Sequence, residues 1–301
     1  MTTDFNILFC YDENKIGAKK RAKQFDIKTG KDIEVHLVSK QKVVDVDDDF
    51  THVVIDKTAI DVQMPETVNT EQKLVVTNCH RYQYEMLDKD QIIVNDFKLP
   101  YTICRYNLQY QHERDYTYMG PLVHKVEPAK ERTERLLVLS GHQHLNELAK
   151  YIVENANDVK WTIATHSQEF CQLLKDLNNY DHEIVYTDEI EPLLAKAKYV
   201  VHYGSHQLTM ECIENDLIQF IIPPLHNRYY FQHAWRAKEF ILAAFAYDMF
   251  HKIPIERKYQ VIRKIRCNFR SYKYNLQQYR KRVSGDSACI PPTTFIQNSK
   301  I

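Results

Sequence analysis

The stretch that decides the fold is residues 183–237, EIVYTDEIEPLLAKAKYVVHYGSHQLTMECIENDLIQFIIPPLHNRYYFQHAWRA. It contains two short apolar runs, residues 199–203 and 218–222, the first stopped by Gly204-Ser205 and the second by two prolines. Such runs, rich in β-branched and aromatic residues, are typical of strands buried on both faces of a parallel sheet. A glycine turn that leads from a strand into a helix can hold an anion at the helix N-terminus. An ordinary capped turn is the alternative interpretation.

The same rhythm of strand and helix runs along the whole chain and favours doubly wound parallel sheets. Gly120-Pro121 and the charged run after it indicate a linker. We therefore predict a first domain over residues 1–120, a second over 121–245, and a tail over 246–301 that packs back on the first domain. The predicted strands are residues 6–10, 34–38, 52–55, 73–77, 91–94, 136–139, 161–164, 183–186, 199–202 and 218–222; the predicted helices are 16–25, 143–155, 167–178, 189–197 and 206–215.

Composition narrows the class of protein. The 301 residues, of which 44% are apolar and 12% aromatic, suffice for two domain cores. The seven cysteines are odd in number and form no C-x-x-C pair, which favours free thiols over a disulfide framework or a zinc site. No apolar run reaches the roughly 18 residues of a membrane span, and the polar start resembles no signal peptide. These features predict a cytoplasmic protein.

The order of these segments resembles the C-terminal domain of GT-B glycosyltransferases. Residues 188–197 match an acidic turn and helix, and residues 204–211 match a glycine turn with its following glutamate. Upstream, residues 119–123 (MGPLV) resemble the interdomain link, and residues 136–142 (LLVLSGH) resemble the first strand and phosphate loop of the second domain. Within that group the chain resembles family 28, which includes the peptidoglycan N-acetylglucosaminyltransferase, and the nucleotide-sugar hydrolase of pseudaminic acid synthesis. The resemblance implies an α/β protein of two Rossmann-like, doubly wound domains facing a cleft.

The resemblance also implies which residues bind a nucleotide-sugar donor. Two helix starts would hold the diphosphate, because their N–H groups are already oriented toward the negative charge of the leaving group. Glu211 matches the carboxylate that grips the ribose, and Gln232 lies near the position that reads sugar hydroxyls, with help from Asn227. Ile190 lies in the loop that meets the base. The implied donor set is Ser140, Gly141, His142, Ile190, Gly204, Ser205, His206, Thr209, Glu211, Asn227 and Gln232.

The acceptor side departs from the family pattern. The family motif G-H-x-x-R appears as residues 17–21, GAKKR, so that Gly17 and Arg21 match on the acceptor side while Ala18 replaces the histidine that usually acts as the base. Polar residues at strand ends of the first domain are the substitutes, although each is also explained as a cap or a surface group. The candidate catalytic residues are Asp12, Glu13 and His80, with Asp96 as a further option.

The tail is strongly basic in a chain whose formal net charge is +0. Residues 251–283 contain eleven Lys or Arg and one acidic residue, Glu256, with aromatic residues between them. Contact with DNA, contact with an anionic membrane surface, and simple packing of a helix with solvated lysines are all open. The candidate polyanion-binding residues are Arg263, Lys264, Arg266, Arg270, Lys273, Arg280, Lys281 and Arg282.

The leading functional prediction is transfer of a sugar from a nucleotide sugar, UDP-linked by resemblance, to an unidentified acceptor. The donor is a substrate, and we expect no cofactor and no metal, since no Asp-x-Asp motif ends a strand and H-E-x-x-H is absent. One alternative is a DNA glycosyltransferase that grips its substrate with the basic tail. The other is a catalytically silent binding subunit, which the missing glycine and histidine positions keep open.

Overall fold

The computed structural model describes residues 5–30, 33–39, 50–56, 70–77, 92–94, 117–132, 134–139, 143–224, 243–245 and 248–264, together with residues 274 and 296. The chain divides into two compact units, residues 1–123 with 280–301, and residues 124–279. The division at residue 123 lies close to the predicted boundary at 120. The assignment of acceptor binding to the first unit and donor binding to the second stays a prediction.

The first unit is built on one parallel sheet. Its strands lie in the order β2-β1-β3-β4-β5-β6, and every described pair is parallel. The elements are β1 (Asn6–Tyr11), α1 (Ile16–Thr29), β2 (Glu34–Ser39), β3 (Phe50–Asp56), β4 (Thr70–Thr77), β5 (Ile92–Val94) and β6 (Thr117–Tyr118).

Strand β1 lies at the centre of the core of the first unit. Residues 7–10 are fully buried, as expected for a strand that is covered on both faces of the sheet. Helix α1 covers one face through Ala22 and Phe25, and the Phe25 ring lies 4.9 Å from that of Phe9. Residues 18, 21, 22 and 25 of α1 are buried, which is the spacing of one helix face.

The second unit repeats this architecture. Its parallel sheet has the strand order β12-β11-β10-β7-β8-β9. Its elements are β7 (Glu134–Leu139), α2 (Gln143–Asn155), β8 (Trp161–Thr165), α3 (Gln168–Asp176), β9 (Glu183–Tyr186), α4 (Glu191–Lys196), β10 (Ala197–His202), α5 (His206–Glu214), β11 (Ile218–Ile221), β12 (Ala243–Phe245), α6 (Asp248–Lys252) and α7 (Ile255–Lys264).

Each sheet has one point where the strand order reverses. In the first unit the chain passes from β2 back across β1 to β3, and in the second it passes from β9 back across β7 to β10. Ligands of doubly wound sheets bind outside the carboxyl ends of the strands at such switch points. The predicted doubly wound α/β class is confirmed. By this rule, the expected ligand sites are the carboxyl ends of β1 and β3 in the first unit and of β7 and β10 in the second.

Helix α7 packs on the second unit, whereas the tail that contains it was predicted to pack on the first domain. The Tyr259 ring lies 5.8 Å from that of Tyr151 on α2. Arg135 donates to the carbonyl of Arg263 at 3.2 Å, and the Tyr199 hydroxyl donates to that of Ile262 at 3.3 Å. Both carbonyls belong to the last turn of α7, where no N–H group of the helix itself is available to donate to them. Arg135 and Tyr199 supply the missing donors. Residues 280–301 are grouped with the first unit.

Candidate functional site

The turn between β10 and α5 has the geometry that the sequence predicted. Gly204 has φ 93°, a left-handed conformation that favours glycine. Ser205 is the N-cap of α5, and its Oγ accepts from the N–H of Leu208 at 3.3 Å. The Thr209 hydroxyl donates to the Ser205 carbonyl at 2.7 Å, so it binds the backbone of its own helix. The turn therefore directs the N-terminus of α5 toward the carboxyl edge of the sheet.

A buried histidine, His202, makes a hydrogen bond to the backbone of this turn. Nδ1 of His202 lies 3.1 Å from the N–H of Gly204, and Nε2 lies 3.0 Å from Oε1 of Gln219 on β11. His202 is fully buried, and this burial lowers the pKa of His202 to about 4 despite the opposing effect of the Gln219 hydrogen bond. The imidazole is therefore neutral near pH 7. In the sequence, His202 is visible only as the last residue of an apolar strand.

Glu211 lies on α5, whose residues 206–213 are all buried. The amide of Gln207, one turn earlier, donates to Oε1 of Glu211 at 3.2 Å. The carboxylate also contributes, after burial, to raising the pKa of the neighbouring Cys212 thiol. Five predicted donor residues, Gly204, Ser205, His206, Thr209 and Glu211, thus lie within one turn and the helix that follows it.

The other predicted donor residues differ in their surroundings. Ile190 is the N-cap residue of α4, and its side chain is buried in the hydrophobic core beside Leu193. Its carbonyl accepts from the N–H groups of Leu193 and Leu194, so Ile190 is a core and capping residue here. Ser140, Gly141, His142, Asn227 and Gln232 lie outside the described residues.

A second polar pair at the same edge of the sheet was not predicted. His166 follows β8, Asp188 follows β9, and Nδ1 of His166 lies 3.2 Å from Oδ1 of Asp188. The two strands are neighbours, so their carboxyl ends bring the side chains together. Each residue is separated from its partner by 22 positions, which explains why local sequence patterns did not reveal the pair.

The first unit holds two of the three predicted catalytic residues at the end of β1. Asp12 is only 1% exposed, and its Oδ1 accepts from the N–H of Asn14 at 3.0 Å. Glu13 is exposed, and its charge adds to burial in raising the pKa of Tyr11. His80 lies outside the described residues. Asp12 therefore organises the turn into α1, while Glu13 is the carboxylate that solvent and solutes can reach.

Arg21, which was assigned to the acceptor side, is engaged in a buried ion pair. Its Nε lies 3.0 Å from Oδ2 of Asp56, at the end of β3, with side chains 5% and 0% exposed. Gly17 lies one residue inside α1 and is partly exposed. The sequence carried a signal only for the burial of Arg21, which lies between Ala18 and Ala22 on the buried face of α1, and none for its partner Asp56.

Of the predicted polyanion-binding residues, the structure describes Arg263 and Lys264. Nε of Arg263 lies 2.6 Å from Oδ2 of Asp158, so Arg263 already has an anionic partner. The Tyr259 hydroxyl also donates to Asp158, and the pKa of Tyr259 is raised to about 12, first by burial and then by that carboxylate. Contact with DNA or a membrane surface stays a prediction for the remaining set, which lies outside the described residues: Arg266, Arg270, Lys273, Arg280, Lys281 and Arg282.

The end of α7 lies away from the turn at Gly204. Arg135 and Tyr199, which cap its carbonyls, lie at the amino ends of β7 and β10, whereas the turn follows the carboxyl end of β10. Within the part of the chain that the structure describes, no three His, Cys, Asp or Glu residues are grouped to hold a metal ion. Among the same residues, no helix is long and apolar enough to span a membrane.

Solved glycosyltransferase structures match nearly the whole chain. The spinosyn rhamnosyltransferase SpnG complexed with thymidine diphosphate has a TM-score of 0.60 at 10% identity, covering 99% of this chain and 100% of its own. The calicheamicin glycosyltransferase CalG4 has a TM-score of 0.60 at 10% identity over 99% and 98% of the two chains. SnogD from Streptomyces nogalater has a TM-score of 0.57 at 10% identity over 98% of each.

The chain has the GT-B fold. This confirms the predicted fold, and at 10% identity it establishes the fold alone. No protein-family profile and no curated protein matches the sequence. The narrower placement beside family 28 and the pseudaminic-acid hydrolase stays a prediction.

Proposed function

We propose that this protein is a glycosyltransferase that moves a sugar from a nucleotide sugar to an acceptor. The observation that carries the proposal is the turn from His202 to His206. It joins a strand at the switch point of the second sheet to a capped helix, where doubly wound sheets bind ligands. The GT-B fold supports the proposal, as does the thymidine diphosphate named in the SpnG complex.

In the proposed reaction the diphosphate of the donor meets the first turn of α5. The first N–H groups of a helix have no acceptor within the helix, and the helix dipole favours negative charge at that end. Ser205 caps one of these groups, that of Leu208, through its hydroxyl. Stabilisation by fixed dipoles would act most strongly on the leaving diphosphate, whose charge grows in the transition state.

The proposal is tested by measuring thermal shifts with UDP, TDP, GDP and CMP sugars. We expect one pyrimidine diphosphate sugar to stabilise the protein, since sequence resemblance indicates UDP and the SpnG structure contains TDP. Stabilisation by none of them would contradict the proposal. Binding without nucleotide release, across a broad panel of acceptors, would favour the silent binding subunit instead.

Glu211 is proposed to bind the ribose hydroxyls of the donor. Replacing Glu211 with glutamine keeps the side-chain volume but removes the charge, and we expect nucleotide binding to weaken by about 1–3 kcal/mol. Isothermal titration calorimetry with the preferred nucleotide measures the change. Glu214→Gln, on the same helix, is the matched control and should bind as the parent does. Equal affinities for the parent and a folded Glu211→Gln variant would refute the ribose assignment.

We expect sugar transfer to survive EDTA. The charge of the leaving diphosphate is assigned to the N-terminus of α5, and the described residues contain no group of ligands for a metal ion. The measurement is the rate of nucleoside diphosphate release with EDTA and with added Mg²⁺ or Mn²⁺. Activity that strictly requires either cation would contradict this assignment.

We assign the acceptor base to Glu13. A general base must come within hydrogen-bonding distance of the proton that it removes. Of the two described carboxylates at the end of β1, Glu13 is exposed, whereas Asp12 is buried and binds the N–H of Asn14. Glu13 thus offers a substitute for the histidine that Ala18 replaces in the family motif.

A further inference from the structure

We propose that His202 is a positioning residue for the donor site, acting as a neutral hydrogen-bond acceptor that holds the Gly204 turn in place. The inference rests on the proposed function, because the turn matters to catalysis only if α5 receives the diphosphate. It assigns to His202 a role beneath the site, without contact with the donor.

The hydrogen bonds around His202 determine which ring nitrogen carries the proton. The amide nitrogen of Gln219 donates to the carbonyl of Thr209 at 3.4 Å, which directs its oxygen Oε1 toward the imidazole. An amide oxygen only accepts, so Nε2 of His202 must carry the hydrogen. Nδ1 then has a lone pair and accepts from the N–H of Gly204 at 3.1 Å.

This tautomer ties three elements of the second unit together. His202 ends β10, Gln219 lies on β11, and Thr209 lies on α5, so the bonds from Gly204 through His202 and Gln219 reach the helix that the turn introduces. His202 and Gln219 are both fully buried. In such surroundings hydrogen bonds are strong and unpaired groups are costly, so the arrangement favours one conformation of the turn.

The arrangement also excludes a different role for this histidine. A protonated imidazole would carry hydrogen on Nδ1 and would place it against the N–H of Gly204. His202 therefore cannot hold the turn and act as a cationic phosphate ligand at the same time. The Gly204 N–H is likewise directed to the imidazole, which leaves the phosphate to the residues after it.

Two substitutions separate the two bonds of the imidazole. In His202→Asn, Oδ1 is the same number of bonds from the backbone as Nδ1 and can still accept from Gly204. In His202→Gln, Nε2 matches the ring Nε2 and can still donate to Gln219, but the acceptor for Gly204 is lost. Each variant removes one buried hydrogen bond, so a merely structural role would lower both melting temperatures and affect nucleotide binding equally.

The test is calorimetric titration of the parent and both variants with UDP and with TDP. We expect His202→Asn to bind within about threefold of the parent and His202→Gln to bind roughly tenfold more weakly, the effect of one net hydrogen bond. Equal weakening in both variants, or none in either, would overturn the inference while leaving the proposed function intact. Absence of binding by the parent would overturn the proposed function and the donor role of His202 together.

A nitrogen NMR measurement on the unliganded protein tests the tautomer independently of any nucleotide. The His202 signal is assigned by its absence from the His202→Asn spectrum. We expect an unprotonated Nδ1 and a protonated Nε2 at pH 7. A protonated Nδ1 would overturn the inference even if the protein binds the nucleotide as proposed.

Discussion

Replacement of Asp56 by alanine is expected to lower the free energy of unfolding of the first unit by about 3–5 kcal/mol, the usual cost of removing one partner of a buried ion pair. Arg21 would keep its charge inside the core, where its Nε now lies 3.0 Å from Oδ2 of Asp56. The loss should appear as faster amide hydrogen exchange in α1 and β1. Tryptophan fluorescence is the wrong probe, because Trp161 and Trp235 both belong to the second unit.

The matched control is Asp26→Ala, which removes an exposed carboxylate from the same helix and should leave exchange in β1 unchanged. A second comparison replaces both partners, Arg21→Met with Asp56→Leu. Because both charges of the pair are then removed from the core, the double variant should recover most of the lost stability. If Asp56→Ala alone exchanges as slowly as the parent, the pair does not stabilise the unit as argued.

The fold was largely predictable because buried parallel strands leave a local signature. Residues 199–202 and 218–222 are apolar, β-branched and bounded by glycine or proline, and the structure forms β10 and β11 there. Three short elements were missed. Strand β6 is two residues long and has no apolar run, and β12 and α6 lie in a continuous apolar and aromatic stretch without periodicity.

The site was less predictable because its decisive contacts join distant parts of the chain. Within the apolar run YVVHY, residues 199–203, nothing distinguishes His202 from a core residue. Only the pairing of β10 with β11 brings Gln219 beside it. In that register His202 lies opposite Ile221, and Gln219 lies two residues earlier on the same face of the sheet. Arg21 and Asp56, 35 positions apart, show the same limit.

Burial also separates residues that the sequence treats alike. Asp12 and Glu13 are adjacent carboxylates after the same strand, and sequence patterns offer no reason to prefer either. The structure places Asp12 under the turn, where it accepts a hydrogen bond from Asn14, and leaves Glu13 exposed. A catalytic assignment for the first unit therefore depends on side-chain placement rather than on position in the sequence.

Replacement of Glu13 by glutamine is expected to lower the rate of sugar transfer by about 10²- to 10⁴-fold, the usual contribution of a general base. Glutamine fills the same space but cannot take the proton of the acceptor hydroxyl. The rate is measured as nucleoside diphosphate release at saturating donor and acceptor, once screening has identified both. Nucleotide affinity and melting temperature should stay at the values of the parent, since Glu13 is exposed and belongs to the first unit.

Asp12→Asn is the control that distinguishes the two carboxylates. The asparagine Oδ1 can still accept from the N–H of Asn14, so this bond at the turn into α1 is retained while the basicity of the side chain is lost. We expect this variant to transfer sugar at close to the rate of the parent. If Asp12→Asn instead loses transfer while Glu13→Gln keeps it, the base is Asp12, and the acceptor hydroxyl must reach a carboxylate that is 1% exposed in the unliganded chain.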